Sequence, residues 1–321
     1  MLAAERWRTA TAVLVVAIAA VAWWNAGYFA HELIQQVAIL AIFAMSLDLL
    51  VGFTGMVSLG HAAFFGLGAY ATAALQVMFG WTVLEAMAGA VAVGAIGALL
   101  VGCFAVRLSG VFFIMVTLAV GEALHAYLFK DRSFGGDDGM GGIERLDLSG
   151  IGISLDNPAA FSVFVIGIAV VVYVFLETIV RSPFGRLLQA IHSNPARVRA
   201  LGCPVPRYKL AVFTLAGAVA ALAGSLSAQH TAFISPELLT WTTSGEVLIV
   251  VIVGGMGSLI GPVVGAAVVV LATHYISGFT DYWMMFMGLF FIAVVVFAGN
   301  GLYGTIEAVR ILLSRSTRAP R

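Results

Sequence analysis

Residues 48–70 read DLLVGFTGMVSLGHAAFFGLGAY, an apolar stretch with small and polar residues at its centre. The small and polar residues of this centre are Gly52, Gly55, Gly60, Thr54, Ser58 and His61. Glycines free the backbone from regular structure, and small residues let membrane helices approach closely. The pattern therefore predicts two membrane helices with a break between them. The polar residues of the break either line a pore or gate, or lie where helices pack tightly.

The composition of the whole chain is that of a membrane protein. Of its 321 residues, 61% are hydrophobic and 10% are charged, whereas soluble domains carry about 25% charged residues. Lipid must therefore solvate most of the apolar surface. The formal net charge of zero gives no indication of nucleic-acid binding. Two cysteines, Cys103 and Cys203, are too few for a disulfide framework, and no spacing indicates a metal or cofactor site.

Apolar segments along the chain predict about ten membrane spans, because a bilayer core takes roughly 20 residues per helix. The segments are 11–30, 33–52, 57–79, 82–106, 110–129, 160–180, 209–229, 242–257, 259–277 and 282–299. The first is too long for a signal-peptide core and is interpreted as a retained span. The eighth is short and broken by glycines, so it crosses or re-enters. We expect one all-α transmembrane helical bundle over residues 1–321.

Basic residues orient the bundle. With the N-terminus inside, 13 of the 16 Lys and Arg residues fall on the cytoplasmic side, as the positive-inside rule requires. Both termini are then cytoplasmic in an inner membrane. The tryptophans predicted at outer ends of spans, where indoles suit the headgroup layer, are Trp23, Trp24, Trp81, Trp241 and Trp283.

Two polar segments separate the spans. The predicted external loop 130–159 is acidic. The predicted cytoplasmic segment 181–208 has five arginines and no acid. Its pattern indicates a short helix around 187–191 and a second one that Asn194 caps and Gly202 ends. Such a helix pair could fit a groove on a soluble partner, and a solvated basic loop is the alternative.

A short sequence match within the chain indicates an internal duplication. Residues 55–59 read GMVSL and residues 255–259 read GMGSL, both beside glycine-rich breaks. Internal repeats and interrupted helices are common in transporters near the substrate path. Because short matches of small residues are frequent in membrane sequences, a chance match is the alternative.

Ionisable residues inside predicted spans need partners, since a charge in the bilayer is costly. Asp48 could reach the interface or bind backbone that the neighbouring glycines free. Glu122 and His125 share a helix face and form either a proton relay or a structural pair. Glu246 follows Ser244 and Gly245 and is expected to cap the eighth span.

No enzyme motif fits the chain. His31 and Glu32 are not followed by the second histidine of a zinc protease, and no usable Gly-x-Ser-x-Gly elbow or phosphate-binding P-loop occurs. Any ATP-driven role must therefore use separate subunits.

Several of these motifs together resemble one known family. Residues 48–70 closely resemble the branched-chain amino acid ABC transporter permeases, and 110–119 with 135–139 are similar to their LivM-type member. Residues 181–186, 200–202 and 207–211 resemble that family's ATPase-contact segment, and 254–265 its C-terminal half. The resemblance covers residues 33–302.

The resemblance implies a five-part importer. Its partners would be two ATPase subunits, a second, LivH-like permease and a periplasmic substrate-binding protein that sets most of the specificity. The external loop 130–159 would be a candidate surface for docking this binding protein, and a merely solvated loop is the alternative. The candidate ATPase-coupling residues are Gly185, Arg186, Ala190, Ala200, Gly202 and Lys209. The family usually carries glutamates near 194–199, where this chain has no acid.

The sequence thus predicts a non-catalytic permease subunit of an importer for branched-chain or related amino acids. The candidate residues of its translocation path are Asp48, Thr54, Ser58, His61, Glu122 and Ser258. The alternatives are an ABC permease for urea or short amides, a proton- or sodium-coupled secondary transporter that uses Glu122, His125 or Asp48, and a structural scaffold.

Overall fold

A computed structural model describes residues 27–148, 153–155, 157–297, 301, 302 and 304. The first predicted span, 11–30, lies almost entirely outside these residues, as do Trp23, Trp24 and the C-terminal arginines.

The described chain is built almost wholly of helices, which confirms the predicted all-α class. The α-helices are α1 Tyr28–Thr54, α2 Ala62–Val77, α3 Val83–Ala105, α4 Val111–Lys130, α5 Pro158–Arg181, α6 Pro183–Ser193, α7 Pro195–Ala200, α8 Val205–Thr231, α9 Trp241–Gly254, α10 Ile260–Phe279 and α11 Trp283–Phe297. Short 3-10 helices lie at Arg132–Phe134, Gly136–Asp138 and Pro236–Leu239. Two-residue strands are β1 Met140–Gly141, β2 Asp147–Leu148, β3 Ile153–Ser154 and β4 Phe233–Ile234.

Every predicted span from 33–52 to 282–299 coincides with a helix, but not every helix can cross a bilayer. Six of the described helices are long and apolar enough, namely α1, α3, α4, α5, α8 and α10. The helices α2, α9 and α11 have 16, 14 and 15 residues and rise only about 21–24 Å, less than the roughly 30 Å of hydrocarbon. About ten complete spans are therefore not confirmed.

Helix α1 is the centre of the bundle. It packs against α5, α8, α9 and α10, and its side chains from Ile42 to Leu50 are almost completely buried. Helix α8 packs against α2 and α3 through small residues: a Cβ on Gly68 would collide with the Ala221 carbonyl, and one on Gly224 with the Phe65 carbonyl. Close backbone approach of this kind is how membrane helices associate.

The outer faces of α3, α4 and α5 are apolar and exposed. They carry Ile96, Phe104, Phe112, Met115, Val171 and Val174, each more than half exposed. Contiguous apolar surface of this extent requires lipid or another membrane subunit as its neighbour. The chain is therefore a multi-pass membrane protein.

The acidic loop 130–159 folds back onto the end of α8. Strand β1 pairs antiparallel with β4, with Met140 opposite Ile234. The Arg145 guanidinium donates hydrogen bonds to the backbone carbonyls of Gln229 and His230 at 3.2 and 3.1 Å, and it lies over the Phe161 ring. This part of the loop is thus fixed to the bundle.

The segment 181–208 forms the two predicted short helices. Ser182 and Asn194 cap α6 and α7, and the Asn194 side-chain oxygen accepts a hydrogen bond from the Arg197 N–H at 2.9 Å. Both helices begin with proline, which suits a first helical turn. Ile191, Val198 and Val205 form a small buried cluster that holds α6 and α7 against the start of α8.

Candidate translocation site

The N-terminus of α9 lies beside the middle of α4. The backbone N–H of Trp241 donates a hydrogen bond to Glu122 Oε1 at 3.2 Å, and Glu122 is about midway along α4. The Trp241 side chain is exposed, and its place at an outer end stays a prediction. A carboxylate at a helix N-terminus is favourable because unpaired N–H groups and the positive end of the helix dipole face it.

The expected role of Glu246 as the cap of this helix is also wrong. Helix α9 starts at Trp241, so Glu246 lies in its second turn, and Glu122 supplies the carboxylate from another helix. Glu122 makes no hydrogen bond with His125, whose ring instead lies 5.9 Å from that of Phe129. The proposed proton-relay pair is thus not formed in the described structure.

The N-terminus of α2 contacts the first turn of α9. The N–H of Ala62 donates to Ser244 Oγ at 2.9 Å. Just before it, Gly60 lies so close to α4 that a Cβ would collide with the Thr117 carbonyl. The two short helices α2 and α9 therefore start next to each other, as discontinuous helices do in transporters.

His61 is a fully buried residue of this junction. Its Nε2 lies 2.8 Å from Ser46 Oγ, and Ser46 Oγ donates to the Phe43 carbonyl at 2.6 Å. Because the serine proton is used there, Nε2–H of His61 is assigned as the donor to Ser46. The imidazole also stacks on the Phe43 ring, with 5.7 Å between centroids and an interplanar angle of 6°.

Asp48 joins the two glycine-rich breaks. It is fully buried, and its Oδ1 accepts a hydrogen bond from the N–H of Gly257 at 2.7 Å. Asp48 was expected to bind backbone freed by the glycines next to it. The backbone that it binds is instead that of the second break, at Gly257. Its Oδ2 has no hydrogen-bond partner within the part of the chain that the structure describes.

The other predicted hydroxyls of the path serve local structure. Thr54 Oγ1 donates to the Leu50 carbonyl at 2.6 Å. Ser258 Oγ donates to the Gly255 carbonyl and accepts from the Gly261 N–H. Ser58 is buried. The structure thus brings Asp48 next to the loop of Ser258, and places His61 and Glu122 nearer the starts of α2 and α9.

The basic segment contacts the first break directly. Nδ1 of His192, near the end of α6, lies 3.1 Å from the Gly52 carbonyl, which is an acceptor only. A Cβ on Gly55 would lie 2.9 Å from the His192 ring. Sequence reasoning did not single out His192, because a lone histidine in a basic stretch carries no positional signal.

The six candidate coupling residues divide into two groups. Arg186, Ala190, Ala200 and Gly202 are exposed. Gly185 is buried, and a Cβ on it would collide with the Val180 carbonyl, whereas Lys209 is partly buried. Gly185 is therefore a packing residue, and the exposed group remains available to a partner.

A cavity of about 270 Å³ lies between α1, α2, α8, α9 and α10. Its apolar lining includes Phe43 and Phe65, and its polar lining includes Gln36, His230, Thr243 and Glu246. None of the six residues predicted for the path lines it. The cavity walls come from five helices, so no local motif could indicate them.

Comparisons with known proteins agree with one another. A family model described as "Branched-chain amino acid transport system / permease component" matches residues 29–295. The chain is 28% identical to the high-affinity branched-chain amino acid transport system permease protein LivM of Salmonella typhimurium, over 90% of this chain and 74% of the relative. It is 29% identical to LivM of Escherichia coli K12, over 81% and 67%.

A more distant relative carries a different name. The chain is 25% identical to the ribose import permease protein RbsC of Escherichia coli K12, over 89% of this chain and 91% of the relative. No solved structure gives a significant match.

Proposed function

This chain belongs to the family of permease components of branched-chain amino acid transport systems, and from that premise we propose its place in a transport cycle. It is the permease subunit of an ATP-binding-cassette importer that moves branched-chain or related amino acids across the inner membrane. It is not catalytic itself, and ATP hydrolysis takes place on separate subunits.

One contact supports this function most directly, namely that of His192 with Gly52. It joins a surface helix pair to the point where α1 ends inside the protein. The same two helices, α6 and α7, carry residues that are exposed and available to a soluble partner, namely Arg186, Ala190 and Ala200. Movement of that partner during ATP hydrolysis would therefore reach the membrane helices at the break.

From the break, movement can spread to the second half of the chain. Gly52 packs on Gly257 without room for a side chain, and Asp48 holds the N–H of the same Gly257. Packed interfaces transmit displacement because they have few voids. A shift of α6 is thus expected to move the ends of α1 and α9 together.

The proposed assembly contains two ATPase subunits, a second, LivH-like permease and a periplasmic substrate-binding protein. The segment 181–208 faces the cytoplasm and the ATPase, in agreement with its five arginines and the positive-inside rule. Both termini are then cytoplasmic. The loop 130–159 faces the binding protein, and the whole chain forms one membrane domain.

Reconstitution tests this function. The chain, the second permease and the ATPases are placed in liposomes, and uptake of labelled L-leucine is measured with the binding protein and ATP present. We expect uptake that stops when ATP or the binding protein is omitted. Leucine uptake by this chain alone, driven by a proton or sodium gradient, would overturn the proposal, and uptake of urea in place of leucine would overturn its substrate class.

A further inference from the structure

We propose that the cavity between α1, α2, α8, α9 and α10 is the site through which the cargo passes, and that it holds one aliphatic L-amino acid. Glu246 takes its ammonium group, Gln36 its carboxylate, and Phe43 and Phe65 its side chain. This inference rests on the proposed function for the kind of cargo, and it adds the place and the residues.

The cavity suits a small ligand. Its volume of about 270 Å³ is just below the range of ~300–1,000 Å³ that is typical of pockets for small molecules. An aliphatic amino acid is therefore a cargo of suitable size.

The apolar lining suits an aliphatic side chain. Ile39 and Phe43 are spaced by one helical turn on α1 and thus share a face, to which Gln36 also belongs. The rings of Phe43 and Phe65 also line the cavity and stack on each other with 4.5 Å between their centroids. A charged cargo side chain at this position would be desolvated without a partner, which disfavours acidic and basic amino acids.

Glu246 supplies the negative charge. It is the one carboxylate that lines the cavity. Its side chain is exposed at the cavity, and no hydrogen bond or ion pair joins it to another residue among those described. The ammonium group of the cargo would supply a cationic partner for this carboxylate.

The opposite wall offers hydrogen-bond donors for a negative group through Gln36. His230 also lines the cavity from α8, but its ring is already engaged, because Nδ1–H donates to Gln35 Oε1 at 2.7 Å, and the Arg145 guanidinium binds its carbonyl at 3.1 Å. The exposed Gln36 amide, one turn from Ile39, has donors to offer. A zwitterion therefore has one favourable orientation, with its ammonium group toward α9 and its carboxylate toward α1.

The lining is also linked to the break that α6 contacts. The Phe43 carbonyl accepts a hydrogen bond from Ser46 Oγ. The same Oγ is hydrogen-bonded to His61, the residue immediately before α2. Further along α1 lie Asp48 and Gly52, with their contacts to Gly257 and His192. Phe43, Asp48 and Gly52 thus lie on one helix, α1, which connects the cavity to the break that α6 contacts.

The test uses the complete importer with Cys103 and Cys203 replaced by serine and a new cysteine at Thr243, a cavity residue. Labelling of this cysteine by a thiol reagent is followed with and without saturating L-leucine. We expect L-leucine to slow labelling several-fold and L-lysine and L-glutamate to leave it unchanged. Equal labelling rates in all solutions would overturn the site.

Uptake measurements test the role of Glu246. Glu246→Gln is expected to lower leucine uptake about tenfold or more, since bonds to charged groups contribute most, and Glu246→Asp to restore part of it. Glu237→Gln removes the same charge from an exposed position outside the cavity and should transport normally. Wild-type uptake by Glu246→Gln would overturn the assignment. A wild-type importer without ATP-dependent leucine uptake would contradict the proposed function instead.

Discussion

Asp48 and Gly257 lie 209 residues apart in the chain and are joined by a hydrogen bond of 2.7 Å from the Gly257 N–H to the Asp48 carboxylate. The bond connects the glycine-rich ends of two helices. Each helix ends at a glycine with positive φ, Gly55 at 70° and Gly255 at 113°. The next helix, α2 or α10, begins a few residues later in both cases. The matching residues 55–59 and 255–259 thus both follow a helix end, although their backbone conformations differ at Gly55 and Gly255, and a duplication stays a prediction.

Replacing the Asp48 carboxylate tests the bond itself. Asp48→Asn keeps an oxygen for the Gly257 N–H and should retain most of the stability and uptake. Asp48→Ala leaves that buried N–H unsatisfied, which costs about 1–3 kcal/mol. Thermal unfolding of the purified protein in detergent measures both variants, and equal midpoints for Asn and Ala would contradict the role of this bond.

Adding a methyl group at Gly52 tests the close approach of the two breaks. A Cβ there would collide with Asp48 Oδ1 and the Gly257 backbone, so Gly52→Ala is expected to lose about 1–3 kcal/mol, as for other overpacked sites. Gly167→Ala is the matched control, because nothing lies within 4 Å of its Cβ position and alanine favours a helix by up to about 1 kcal/mol. The prediction fails if both variants unfold at the same temperature as the wild type.

Removing the His192 ring tests the coupling contact. His192→Ala should leave ATP hydrolysis by the assembled importer largely intact and lower leucine uptake per ATP, because the partner's movement no longer reaches Gly52. The nearby exposed Ser193→Ala is the control, since its hydroxyl bonds only within α6, to the Gln189 carbonyl. An unchanged ratio of uptake to hydrolysis in His192→Ala would rule out this contact as the link.

Glu122 is expected to stabilise the start of α9. Glu122→Ala removes an acceptor and a negative charge from a helix N-terminus and should cost about 0.5–2 kcal/mol, the range for lost caps and dipole partners. Glu122→Gln keeps the acceptor and should cost less. His125→Ala on the same helix should leave the unfolding midpoint nearly unchanged. A loss in His125→Ala as large as that in Glu122→Ala would contradict a stabilising role of Glu122 at this helix N-terminus.

Crosslinking maps the surface that faces the ATPase. Single cysteines at Ala190 and Ala200, which are exposed, should crosslink to an ATPase subunit in the assembled importer. Cysteines at Leu188 and Val198, which are buried, should not. Gly185 is a poor position for this experiment, because any side chain there collides with the Val180 carbonyl. Absence of crosslinks at every exposed position from 181 to 208 would remove this surface from the proposal.

The sequence predicted elements whose physical cause is local. Spans 82–106, 110–129 and 160–180 match α3, α4 and α5 to within two residues at each end, because long apolar runs have one solution in lipid. The Asn194 cap of α7 was predicted as well, since Asn194 and Pro195 act within one turn, whereas the Ser182 cap of α6 was not predicted. The prediction that Glu246 caps α9 was less successful, because the start of α9 at Trp241 and the Glu122 carboxylate that faces it depend on contacts between distant helices.

The sequence by itself thus determined that this protein lies in a membrane, which segments are helical, and to which family it belongs, since apolar length and motif spacing are properties of the chain. Only the tertiary structure decided which polar groups meet. Asp48 reaches Gly257, Glu122 reaches Trp241 and His192 reaches Gly52, each across more than a hundred residues. Hydrogen bonds and cavities depend on packing between distant helices, and no local pattern specifies which helices become neighbours.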